Sequence, residues 1–317
     1  MDMTIKEFGE KICELINERV KMVTPSIVDV QKENNVKLVG INLKRKDSNI
    51  APVIYINSMY EKDYTVEEAY VQIMTIYSNS NINSDEIGID LSRLGEFEYI
   101  KDRILPKVIN KDSNVDFAND FACIEAGDMY ISFYIYISSI KGEAASIKVK
   151  KEFVDMWNVD EKDLIAVAFE NLKAIKPLTV EPISNIVTKI AIKNGFNIDE
   201  IGLPPIDDEV MYVGTVENGI NGAVYMLSED TLNEISEKLG GANKYYILPS
   251  SIHEFIVVNP SSIENDDNEL LNMVKEVNST QLEPEEVLTD NVYVYEKLGD
   301  NGVCTLKDAN GNIMPLF

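Results

Sequence analysis

The 317-residue chain reads as an α+β protein with mixed or mainly antiparallel sheets, helices packed on one face, and two domains. Three observations predict this. Apolar residues at helical spacing alternate along the chain with short β-branched and aromatic runs. The second half reads helix-helix-β-β-α-β-β-α-β, and strands joined by tight turns favour antiparallel pairing. With 45% hydrophobic residues, the chain can fill its cores without disulfides or metals, and its length suggests two domains. The pattern changes past Gly142. The expected division is therefore an N-terminal α+β domain over 1–150 and an acidic C-terminal α+β domain over 151–317.

Ile5, Phe8, Ile12, Leu15 and Ile16 recur at helical spacing and predict an amphipathic helix over roughly 3–20. Val36–Leu43 reads as a strand, and Pro52–Ile56 as a second with proline at its first residue, where a missing N–H matters least. Thr65 with Glu68 forms a capping box, and behind it Val66, Ala69, Tyr70, Ile73 and Met74 share one helical face. Residues 96–110 predict a helix kinked or ended by Pro106. Tyr130–Ile137 alternates strictly, a strand with an isoleucine/phenylalanine face and a tyrosine face. If exposed, that tyrosine face would favour dimerisation; the commoner outcome is a half-buried face under a helix.

Asp160 and Asp163 open a helix carrying Leu164, Val167, Ala168 and Leu172; Pro182 opens another, stopped near Gly195. A loop over 199–209 leads to strands at Met211–Thr215 and Ala223–Leu227. Ser228 caps a helix ending at Gly240-Gly241. Strands Lys244–Leu248 and His253–Val258, a helix bearing Leu270, Leu271, Val274 and Val277, a strand at Val292–Tyr295 and a short tail strand follow.

The net charge is −25, unevenly placed: residues 197–317 hold 5 basic and 23 acidic groups, a net of −18. Such a field repels phosphate backbones, so nucleic-acid binding is not expected, and Lys44-Arg45-Lys46 is too short a basic cluster to change that. An acidic half attracts a basic partner instead, or mimics nucleic acid. Met1–Val20 contains no apolar run of signal-peptide length, and no stretch approaches the ~18 apolar residues of a membrane span. Cys13, Cys123 and Cys304 are odd in number and far apart, as in a reduced, cytoplasmic protein.

His253 is the only histidine, which excludes multi-histidine metal centres and makes it the sole candidate histidine base. Nucleotide-binding glycine loops, the G-x-S-x-G elbow and C-x-x-C spacing are missing, so no cofactor or metal is expected. One constellation invites chemistry, Pro249-Ser250-Ser251-Ile252-His253-Glu254. A serine beside a histidine suggests a hydrolase, with Ser250 or Ser251 as nucleophile, His253 as base and Glu254 nearby. On an extended strand, however, Ser251 and His253 would project in parallel, poor geometry for proton transfer. Asp207-Asp208-Glu209 and Asp266-Asp267 could bind a hard cation but lack a calcium-loop pattern. Asp300-Asn301-Gly302 and Asp308-Ala309-Asn310-Gly311 read as turns, and Glu283-Pro284-Glu285-Glu286 as a helix start.

Several stretches together resemble one family of proteins from Firmicutes, a domain of unknown function. These are Ile50–Asn57, Lys101–Ile104, Asn218–Ala223, Tyr246–Glu254, Val277–Gln281 and Pro284–Tyr293, with Ser250-Ser251-Ile252-His253-Glu254 the most specific. The resemblance covers nearly the whole chain and implies no activity. It does imply a clostridial setting, among genes of mobile elements and phages. Where the family tends to carry a histidine-containing strand ahead of Trp157, this chain reads Lys148-Val149-Lys150-Lys151.

The expected function is a non-enzymatic adaptor or inhibitor whose acidic second half meets a basic protein; the alternative is the hydrolase at Ser250/Ser251, His253 and Glu254.

Overall fold

The computed structural model describes residues 3–45, 51–80, 89–140, 143–195, 210–260, 267–298 and 303–317. The loop 199–209 with its acidic run, Lys46, Asp266 and the turn Asp300-Asn301-Gly302 lie outside the described residues. The chain divides into two compact units, Met1–Leu91 with Ile137–Ser146, and Ser92–Tyr136 with Ile147–Phe317.

In the first unit, helix α1 (Ile5–Arg19) is opened by a capping box: the Thr4 hydroxyl accepts from the Glu7 amide and the Glu7 carboxylate accepts from the Thr4 amide. Strands β1 (Val23–Gln31), β2 (Lys37–Arg45) and β3 (Val53–Tyr55) form an antiparallel sheet. Helices α2 (Asn57–Glu61) and α3 (Val66–Ser80) follow, the latter behind the reciprocal Thr65–Glu68 bonds that the sequence predicts. Phe8, Ile12 and Ile16 of α1 close on Ile41, Leu43, Ile54 and Ile73 to make the core. Strand β1 escapes sequence reading because it contains Pro25 and because Ile27-Val28 shifts its apolar alternation by one residue, and burial along it is correspondingly broken.

The second unit begins with α4 (Phe97–Ile100), one 3-10 turn at Lys101–Arg103, and strand β4 (Ile104–Asn110). The helix expected across 96–110 is thus corrected. Residues 104–109 are buried on both faces, a run that periodicity cannot separate from a buried helix. Pro106 is tolerated because β4 lies at the end of its sheet, where one N–H has no ladder to join. Then come α5 (Phe117–Asp120), β5 (Cys123–Ala126), β6 (Met129–Ile140) and β7 (Glu143–Lys148), with β4 and β5 on either side of β6 and β7 also paired to it. Tyr130, Ser132 and Tyr134 are buried, so the tyrosine stripe is an interior face rather than a free surface.

Helices α6 (Lys151–Trp157) and α7 (Glu161–Ile175) follow, α7 capped by Asp160 accepting from the Lys162 and Asp163 amides. Asn171 of α7 donates to the carbonyls of Lys101 and Ile104 at 2.6 and 3.0 Å. That contact ties residues 92–136, which the 1–150/151–317 division assigns to the first domain, into the second unit.

The remaining elements are β8 (Leu178–Pro182), α8 (Ile183–Lys193), β9 (Met211–Val216), α9 (Glu229–Lys238), β10 (Lys244–Pro249), β11 (Phe255–Val258), α10 (Asp267–Thr280), β12 (Tyr293–Leu298), β13 (Val303–Asp308) and β14 (Ile313–Met314). They build a seven-stranded sheet in the order β14-β13-β12-β10-β11-β9-β8, with antiparallel pairing throughout. The α+β class with antiparallel sheets is borne out. The side-chain period of 2 sorts this sheet's faces. Tyr246, Leu248 and Val292 pack against Leu270 and Val274 of α10. On the opposite face the Tyr245 hydroxyl donates to the Leu232 carbonyl of α9, and Tyr295 donates to Asn233. Helices therefore flank this sheet on both sides.

Ala223–Leu227, expected as a strand, lies instead in a wholly buried 3-10 helix, Gly222–Leu227. Ala-Val-Tyr-Met-Leu has strand composition, yet Asn221 in a left-handed conformation turns the chain before any ladder can form.

Candidate functional site

The loop of the β10–β11 hairpin holds the predicted constellation. The Ser250 and Ser251 amides both donate to the Glu254 carbonyl at 3.2 Å, so 250–254 is a closed turn and His253 is not part of a strand. The Ser251 hydroxyl accepts from the His253 amide at 3.0 Å, and the Ser250 hydroxyl reaches the Glu254 carboxylate at 3.4 Å. Both serines are thus spent on the turn itself.

The imidazole, with 28% of its side-chain surface exposed, looks the other way. Its Nδ1 accepts from the Asn221 amide at 3.1 Å, which assigns the proton to Nε2, and Nε2 faces the Glu286 carboxylate at 3.5 Å. The His253 carbonyl accepts from the Gly222 amide at 2.9 Å, and the Ile252 amide donates to the Glu286 carbonyl at 2.9 Å. Ser251 and Glu254 bond within the turn, not to the imidazole, and the base nitrogen a serine hydrolase needs is occupied by a backbone amide. Glu283–Glu286 is a turn closed by the Glu286 amide on the Glu283 carbonyl, correcting the expected helix start.

Three stretches distant in sequence (218–223, 246–254 and 284–293) therefore meet at one histidine. A single family model, described as Family of unknown function (DUF5688), matches residues 5–297. The chain belongs to that family. No curated protein and no solved structure matches it.

In this DUF5688 chain the same 284–293 stretch builds a second node. Thr289, Asn291 and Tyr293, at i, i+2 and i+4, all donate to the carboxylate of Asp128, Thr289 through its hydroxyl and Asn291 at 2.7 Å. Asp128 sits in the β5–β6 turn beside Gly127, whose φ of 62° only glycine takes without strain. Burial, and next the Asp128 charge, hold the Tyr293 hydroxyl well above its usual range, so it stays a donor.

A third feature lies under Asn221. Lys176, 6% exposed, donates from Nζ to the Ile220 carbonyl at 3.2 Å and has no carboxylate partner among the described residues. Burial alone lowers its ammonium pKa. Sequence reading missed Asp128 and Lys176, isolated ions in unremarkable stretches. Asn221 and Glu286 stand in the sequence only as members of the Asn218–Ala223 and Pro284–Tyr293 blocks and, for Glu286, of an expected helix start.

Elsewhere, Asp308 accepts from the Asn310 and Asn312 amides, the turn that the sequence predicts. Among the described residues no group of three or more His, Cys, Asp or Glu could hold a metal, and no helix is long and apolar enough to cross a membrane. Burial pushes the Cys13 and Cys123 thiols up to about 11. Pockets of about 180 and 290 Å³ lie beside Lys244 and Lys307 and beside Phe169 and Phe317, away from His253.

Two stability experiments follow from these nodes. Replacing His253 with Ala should cost roughly 1–2 kcal/mol, because the Asn221 amide loses its acceptor, and His253→Asn should recover part of this by offering an oxygen near Nδ1. Urea denaturation reads both. Lys176→Met should raise the melting temperature at pH 7. The sign follows from linkage: the folded pKa lies below the unfolded one, so between them the unfolded chain binds more protons and wild-type stability rises with pH. The penalty is full below the folded pKa and vanishes above about 10.4, so the gain in Lys176→Met should shrink as pH approaches that value. Melting curves from pH 7 to 10 measure it.

Proposed function

We propose that this chain is a non-enzymatic interaction protein, an adaptor or inhibitor, whose acidic second half engages a protein with a basic surface. One observation carries the reading. Glu234 and Glu237 of α9 and Glu269 and Glu276 of α10 are exposed and form no ion pair among the described residues, although these helices cover opposite faces of one sheet. Uncompensated charge on both sides supports a protein held in solution by repulsion and drawn to a cationic partner. The serine hydrolase reading is the weaker one, since Ser250, Ser251 and His253 have their polar atoms engaged as described.

A cytoplasmic setting belongs to the same proposal and draws on the free cysteines Cys13, Cys123 and Cys304. A Firmicutes host and carriage on a mobile element or phage rest on the sequence resemblance alone. The test of the electrostatic part is Glu234→Gln with Glu237→Gln. Against the captured partner, this pair should slow association several-fold with little change in dissociation, read by surface plasmon resonance. An unchanged association rate would remove α9 from the interface.

A further inference from the structure

Beside the surface chemistry, the second unit contains a set of buried polar side chains that the described residues satisfy only in part. Lys176 ends α7, and its ammonium bonds only to the Ile220 carbonyl while lying 5.7 and 5.9 Å from the ring centres of Tyr134 and Tyr136. Tyr134, 3% exposed, has a hydroxyl with no hydrogen-bond partner among the described residues. The Asn221 carboxamide lies beside it without closing a bond of good geometry. The three come from α7, β6 and the loop before the buried 3-10 helix, so the fold brings them together from distant parts of the chain.

We propose that Lys176, Tyr134 and Asn221 form a binding site for a small monocarboxylate. A buried ammonium without a counter-ion and a buried hydroxyl without an acceptor among the described residues are costly alone, and one bound anion corrects both. A water molecule would supply hydrogen bonds but leave the positive charge uncompensated. A cation is excluded by the ammonium. A phosphate dianion would bring two charges to a single ammonium, inside a chain of net charge −25 that repels multivalent anions. A carboxylate matches in charge and number of oxygens, one for the ammonium and one for the tyrosine hydroxyl. The Tyr136 ring and Ile220, both half-buried, are the apolar groups beside the ammonium against which a short alkyl chain would pack. Burial pushes the Tyr134 hydroxyl up to about 12, which keeps it a donor at any physiological pH. The site does not depend on the adaptor reading and fails or stands separately from it.

The experiment is a melting-temperature titration of the full chain with sodium propionate, against sodium chloride at equal ionic strength and sodium phosphate at equal pH. The expected result is a saturable rise with propionate, roughly 5 °C at a hundredfold excess over Kd. The rise should be absent in Lys176→Met, which replaces the ammonium by an apolar chain of similar length and so keeps the fold. It should need several-fold more propionate in Tyr134→Phe. As a second readout, the Lys176 pKa, followed by NMR after reductive ¹³C-methylation, should move up on adding propionate. No rise in wild type would overturn the proposal, leaving water as the partner of these groups. An equal rise in Lys176→Met would overturn it as a general solute effect, and tighter binding of phosphate would overturn the ligand class.

Discussion

Replacing Asp128 with alanine is expected to destabilise the protein by roughly 3 kcal/mol, a loss of about 6–12 °C in melting temperature. Three donors converge on that carboxylate, the Thr289 and Tyr293 hydroxyls and the Asn291 carboxamide. Removing the acceptor strands all three, and Thr289 and Tyr293 are buried where water cannot replace it. Hydrogen bonds to a charged group contribute more than neutral ones, and leaving several buried donors unmade is costlier than losing one pair. Asp128→Asn keeps the shape and one oxygen, so it should cost about half as much. Tyr293→Phe and Asp128→Ala should be strongly non-additive, because each removes the same bond. Urea midpoints of the two single variants and the double variant measure this. Additive losses would mean that the hydroxyl and the carboxylate are not coupled.

The second large effect is expected at Gly222. An alanine Cβ there would lie 2.7 Å from the His253 carbonyl oxygen, 3.1 Å from the Val216 nitrogen and 3.2 Å from the Thr215 Cα. All three are backbone atoms of β9 and the hairpin turn, so no side-chain rotation can give way. Gly222→Ala should therefore cost roughly 2–4 kcal/mol and break the Gly222 amide bond to His253. Gly219, three residues earlier, is the internal control. Its φ of 65° favours glycine but nothing lies within 4 Å of an added Cβ. Gly219→Ala should cost only about 1 kcal/mol, from backbone strain. Equal costs at the two positions would contradict the close packing of the turn against β9.

How much of this was legible in the sequence depends on what each residue faces. Helices α1, α3, α7, α9 and α10 announce themselves because each has one apolar stripe, four of them with a capping residue at the start. Strand β4 and the 222–227 segment do not, since both are buried all round and carry no periodicity to read. The Ser-Ser-Ile-His-Glu stretch stands out in the sequence, but the partners of its histidine are far away on either side, Asn221 at 32 residues and Glu286 at 33. No local pattern signals that a backbone amide will take the imidazole. Lys176 and Asp128 are invisible for the same reason: a lone ion in a sequence reads as surface, and only the packing of Tyr134 or Tyr293 beside it changes that.

The proposed interaction joins the acidic half of the chain to a basic protein. It is tested most directly by capturing partners on the tagged full-length chain from a lysate of its host, at about 50 and about 300 mM salt, with quantitative mass spectrometry. The expected result is a stoichiometric protein of high isoelectric point, retained at low salt, largely lost at high salt, and reduced on the Glu234→Gln/Glu237→Gln chain. A partner retained equally at both salt concentrations, or no stoichiometric partner at either, would contradict it.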